Sequence, residues 1–68
     1  MTELKASGIA AGIRKARKDA GLTQEDLALL AEVSERTIRA LETGTGNPSL
    51  KAVMAAANVL GLRLEVVR

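Results

Sequence analysis

The chain has no cysteine, no histidine and no aromatic residue among its 68 positions, and a single proline. Without cysteine, disulfides and thiolate or cysteine–zinc chemistry are excluded, and the residues carry no record of redox compartment. Without histidine the usual general base is missing, so the hydroxyls of Thr23 and Ser34 have no partner to make either a nucleophile. Long apolar runs are missing too. Nothing approaches the roughly 20 residues of a membrane span, and the N-terminus lacks a signal-peptide core. The chain therefore reads as cytosolic, implies no cofactor and no metal, and offers nothing from which an enzyme could be assembled. With no aromatics, the core has to be thin and built from Leu, Ile, Val and Met, beside twelve alanines. The length makes one domain, residues 1–68, close to the lower limit for folding unaided. A chain so small, without disulfide or metal, often gains stability from a partner.

Basic and acidic side chains nearly balance, at 10 and 8, for a net of only +2. Its distribution is uneven. Residues 1–20 carry five basic and two acidic side chains, residues 21–47 two basic and five acidic, and residues 48–68 three basic and one acidic. The centre is therefore acidic, which opposes phosphate binding there. A nucleic-acid partner would have to be drawn largely by the basic residues of the first segment.

Residues 1–6 read as a flexible tail, because nothing in MTELK is spaced to pack. From Ser7 to Ala20 a helix is expected, with Ile9, Ile13, Ala16 and Ala20 on its inner face and Arg14, Lys15 and Lys18 towards solvent. Gly21 is a natural stop. Thr23 then reads as the N-cap of a second helix, with Glu25 and Asp26 complementing the dipole of its first turn. Ser34 caps a third helix that ends near Glu42, and Thr43 to Pro48 reads as a loop. Ser49 caps a fourth, in which Leu50, Val53, Met54, Ala57 and Leu60 recur at helical steps as core or dimer interface until Gly61. After that the period changes to two: Leu62, Leu64 and Val66 alternate with Arg63, Glu65 and Val67, the pattern of a half-buried strand over residues 62–67. A lone strand needs a neighbour for its backbone groups. The simplest is the same strand of a second copy across a two-fold axis, the alternatives being a strand lent to another protein or a frayed tail.

The chain is organised around Thr23 to Glu42, TQEDLALLAEVSERTIRALE. Leu27, Ala28 and Ala31 are spaced for the inner face of one helix, Val33 would plug the turn, and Ile38 and Leu41 would line the next. So short a turn forces a steep crossing that admits only a small side chain, and Ala28 stands where one is required. Glu35, Arg36, Arg39 and Thr43 are left pointing outward. This is the pattern of a DNA-reading helix-turn-helix.

These residues, with Gly44 and the following NPSL, resemble the Xre-type helix-turn-helix family of phage repressors, Cro proteins and many antitoxins, over about residues 9–61. The resemblance implies an all-α, lambda-repressor-like bundle of four to five helices, here with a short C-terminal β-strand pairing across a homodimer. It implies that Glu35, Arg36 and Arg39 face base edges and that Gln24, Ser34 and Thr43 meet phosphate. Arg17 and Glu42 match a pair that forms a buried ion bridge in some relatives, a structural role. Glu32 departs from the pattern: it stands where glycine is usual, so a non-glycine residue is expected in a left-handed conformation. The ending LGLRLEV resembles HipB-type antitoxins, which repress their own operon and bind a HipA-type kinase toxin.

Each assignment has a plainer counterpart. Arginine matches the paired acceptors of guanine, yet on an arbitrary helix Arg36 and Arg39 would be solubilising charges. Glu35 would either accept from a cytosine amino group or complement the helix N-terminus. Arg14, Lys15 and Lys18 would steer phosphate or form a solvated face. Gln24 would bind phosphate or be an ordinary first-turn residue. The expected function is a sequence-specific repressor on double-stranded operator DNA, autoregulating as the antitoxin of a HipA-like module. The alternatives are a free-standing phage-type repressor, or a protein-interaction adaptor whose motif no longer reads DNA.

Overall fold

The computed structural model describes residues 6–62. Four helices follow one another: α1 (Ala6–Asp19), α2 (Gln24–Ala31), α3 (Glu35–Thr43) and α4 (Leu50–Val59). Helix α3 packs on α1, α2 and α4, and α2 also packs on α4, so α3 is the central element. No strand and no fifth helix occurs among the described residues.

The helix starts follow from side-chain caps. Thr23 forms a full capping box: its hydroxyl accepts from the Asp26 N–H at 2.9 Å, and the Asp26 carboxylate accepts from the Thr23 N–H at 2.9 Å. The bond from the Thr23 N–H, and after it the nearby Thr23 hydroxyl, holds the Asp26 carboxyl below its ordinary value. Ser34 and Ser49 cap α3 and α4 through the N–H groups of Thr37 and Ala52, each at 3.1 Å. Each such cap contributes about 1 kcal/mol.

The helix ends share one device, in which a left-handed residue lets the next N–H reach back to the carbonyl five positions earlier. Leu22, Val33, Thr45 and Leu62 donate in this way to Arg17, Ala28, Ala40 and Ala57. The left-handed residue is glycine at 21, 44 and 61, and Glu32 at the close of α2, where φ is 57°. The strained turn expected at Glu32 is present. Because the side chain is exposed and its N–H reaches Leu29, the conformation stands on backbone bonding alone.

The core is as thin as the composition requires. Ile13, Leu27 and Ile38 are the largest fully buried side chains, and Ala28, Leu41 and Ala56 complete the cluster. Val33 packs on it from the turn, and Ile9, Val53, Val59 and Leu60 close its rim. Each buried Leu or Ile supplies about 1.5–3 kcal/mol. Alanines at 10, 28, 31, 52, 56 and 57 are buried because short helices approach closely only where side chains are small.

Several expectations need correction. Helix α1 begins at Ala6, inside the expected tail, and ends at Asp19, one residue before the expected end. Ala20 is exposed rather than on the inner face, since it lies in the turn that closes α1, and Ala10 is buried in its place. On α4 Val53, Ala57 and Leu60 meet the core as expected, whereas Leu50 and Met54 are exposed, at 70% and 53%, and Ala52 and Ala56 are buried instead. Packing α4 against α2 selects the stripe of smallest side chains over the most apolar one. Leu62 is not part of a strand, because its N–H is used to cap α4 at 2.8 Å from the Ala57 carbonyl. The rest of the expected strand, including Leu64 and Val66, lies outside the described residues.

Candidate nucleic-acid interface

Three residues, 32–34, join α2 to α3. Leu27, Ala28 and Ala31 from α2 and Ile38 and Leu41 from α3 are buried, as their spacing requires. Burying Ile38 and Leu41 turns the other side of α3 outward, and there Arg36, Arg39 and Thr43 are exposed and Glu35 is half-exposed. The Arg39 guanidinium donates to the Glu35 carboxylate one turn back. Arg36 has no ion-pair partner among the described residues.

The buried charge beneath this surface is well satisfied. Arg17 meets Glu42 through two parallel bonds, Nε to Oε2 at 2.6 Å and Nη2 to Oε1 at 2.9 Å, and its Nη1 donates to the Leu22 carbonyl at 2.9 Å. Hydrogen bonding to Glu42 raises the guanidinium above its ordinary value, outweighing the opposing effect of burial, and keeps it charged at any working pH. Gln24 joins the same carboxylate, its Nε2 lying 3.3 Å from Glu42 Oε1. The end of α1, the start of α2 and the end of α3 are thereby tied at one point. No buried side-chain polar atom among the described residues lacks a partner.

The positions named for phosphate contact fall into separate groups. Arg14, Lys15 and Lys18 are exposed on α1 and line an open groove of about 490 Å³ with Ala11, Asp19, Glu42 and Thr43. Lys15 is paired with Asp19 at 2.9 Å, whereas Arg14 and Lys18 enter no ion pair among the described residues. Thr43 donates its hydroxyl proton to the Arg39 carbonyl at 2.9 Å, so contact with an anion requires that bond to be exchanged. Ser34 is exposed but its oxygen serves as the cap of α3. Gln24 keeps one amide hydrogen beyond its bond to Glu42.

Two interactions here were missed in reading the sequence. The Glu35–Arg39 pair was detectable, being acid before base at a spacing of four on one helix. The Gln24–Glu42 bond spans 18 positions and had no local signal.

Residues 13–67 match the family described as Helix-turn-helix. The chain belongs to that family, in its Xre-type branch. Relatives with curated names agree. An uncharacterized HTH-type transcriptional regulator of Methanothermobacter thermautotrophicus is 49% identical over 49 residues, which cover 72% of this chain and 71% of the relative. One from Methanocaldococcus jannaschii is 48% identical over 44 residues, covering 65% and 67%. A third, from Archaeoglobus fulgidus, is 43% identical over 53 residues, covering 78% and 76%. In this helix-turn-helix protein α2 and α3 are the two helices of the motif. Among the described residues no helix is long and apolar enough to cross a membrane, and no group of His, Cys, Asp or Glu could hold a metal ion.

Proposed function

We propose that this helix-turn-helix protein is a sequence-specific transcriptional repressor that occupies promoter DNA. The observation that carries the reading is the outward face of α3, where Arg36 and Arg39 are exposed while the opposite face is locked into the core by Ile38 and Leu41. Membership of the helix-turn-helix family, and relatives named as transcriptional regulators, support the regulatory part of this reading. Arg36 and Arg39 meet base edges in the major groove, Gln24, Ser34 and Thr43 meet phosphate, and Arg14, Lys15 and Lys18 supply long-range attraction that the acidic centre lacks.

The protein acts as a homodimer on a pseudo-palindromic operator, with half-sites about one helical turn apart. Exposed Leu29, Leu30, Leu50 and Met54 favour a partner surface. Tail pairing through residues 63–67 would set the spacing. The regulated operon is its own, with a HipA-like kinase toxin as the second partner; the support for this is the residue pattern LGLRLEV.

The test is a gel shift on the upstream DNA of the native gene, with the intact protein and with Arg36→Ala. Binding that weakens and loses sequence preference in the variant agrees with direct readout. Failure to bind any duplex at low salt overturns the reading and favours a protein-interaction adaptor, which the excess of acidic side chains in residues 21–47 would suit.

A further inference from the structure

The geometry points to Glu35 as a discriminating residue that keeps Arg39 masked on wrong DNA and releases it only at a base step able to serve both side chains. This rests on the reading of α3 as the DNA-reading helix. Glu35 and Arg39 lie one turn apart on the outer face, and the guanidinium is held by the carboxylate. Both remain solvent-accessible, at 35% and 62% for the side chains, so the pair is exchangeable rather than structural. Arg36, beside them, is exposed and enters no ion pair among the described residues.

The consequence follows from what each group offers. A masked arginine contributes little to phosphate attraction, and the Glu35 carboxylate repels the backbone, so non-specific binding through this face is suppressed. Separating the pair inside a groove leaves two charges to be satisfied. Guanine presents two acceptors that suit Arg39, and cytosine presents an amino donor that suits Glu35. A step rich in A·T offers the carboxylate only the adenine amino group and the arginine no paired acceptors of the same kind. Discrimination thus comes from the penalty on wrong sites as much as from the gain on right ones.

Glu35→Gln removes the masking charge and preserves shape. The experiment measures affinity for a random-sequence duplex against salt concentration, together with selection of bound sites from random DNA, for wild type, Glu35→Gln, Arg39→Ala and the double variant. Thermal melts followed by circular dichroism establish that each is folded. The expected result is tighter non-specific binding by Glu35→Gln, with a salt slope steeper by about 0.9, the signature of one more phosphate contact. Selected sites should show weaker G·C preference at one position, since the carboxylate's contact with the cytosine amino group and its penalty on wrong sites are gone while Arg39 still suits guanine. The tighter non-specific binding and the steeper slope should both vanish when Arg39→Ala is added. An unchanged slope in Glu35→Gln overturns the masking role. A gain that persists in the double variant also overturns it, since the effect would then be general removal of negative charge. If wild type binds no duplex at low salt, the DNA reading itself has failed and this inference falls with it.

Discussion

Replacing Glu42 with alanine should be among the most damaging single changes available in this chain. Its side chain is 2% exposed and receives two bonds from Arg17 and one from Gln24. Removing the carboxylate leaves the Arg17 guanidinium, 11% exposed, with the Leu22 carbonyl as its one remaining acceptor among the described residues. Stranding a buried charge in this way costs about 3–5 kcal/mol. At roughly 0.05–0.15 kcal/mol per residue, a chain of this length has about 3–10 kcal/mol in total. The variant should therefore keep at most about 7 kcal/mol, and at the low end of that range be largely unfolded at room temperature, with a melting temperature lower by about 12–40 °C where a transition can be seen. Urea denaturation followed by circular dichroism measures the change, and the urea midpoint should fall without a change in slope. The companion variant, Arg17→Met with Glu42→Leu, should recover most of the loss, because a buried pair replaced by apolar side chains of similar volume is about neutral. A loss below about 1 kcal/mol for Glu42→Ala would refute the argument. So would a double variant no more stable than the single one.

Arg36→Ala should cost about 1–3 kcal/mol of affinity for the cognate site in fluorescence anisotropy, about 5- to 150-fold, while leaving the melting temperature almost unchanged because the side chain is exposed. Glu32→Gly should raise stability by about 0.5–1 kcal/mol in urea titration: relief of the left-handed conformation, worth about 1–2, exceeds the added freedom of the unfolded chain. Destabilisation there would mean that the Glu32 side chain contributes more than the backbone geometry indicates. Acid should loosen the start of α2 through Asp26. Its folded value is depressed, so its contribution is complete above the ordinary value of about 3.9 and is lost as pH falls through the folded one; Asp26→Asn should remove that part of the pH dependence in melts between pH 7 and pH 2. Val66→Lys, which would put a charge on the apolar side of the proposed tail strand, should shift sedimentation from dimer towards monomer, and an unaltered dimer would remove tail pairing from the account.

Local chemistry made much of the architecture legible. Thr23, Ser34 and Ser49 cap helices because a short side-chain oxygen can reach an N–H that the helix leaves free, and this needs no knowledge of distant residues. The inner faces of α2 and α3 were legible for a related reason: a three-residue turn leaves little latitude in how Leu27, Ala28, Ile38 and Leu41 can meet. The Arg17–Glu42 pair came from family resemblance and not from spacing, for nothing local links positions 25 apart. The surface of α3 was half legible. Its outward side chains followed from the period, but their partnership, with Arg39 held by Glu35 and Arg36 left unengaged among the described residues, emerged from the coordinates.

What the residue order determined by itself was where the capped helices α2, α3 and α4 begin, and which side of α3 carries the arginines, because caps, turns and periodicity act within a few residues. What the tertiary structure alone decided was which of several apolar stripes is buried. Leu50 and Met54 are as hydrophobic as anything in α4, yet Ala52 and Ala56 face inward, because the separation of packed helices is set by the side chains between them and only small ones allow α4 to close on α2. The meeting of Gln24, Arg17 and Glu42 was decided at the same level, since three helix ends converge on one carboxylate only once the bundle has formed.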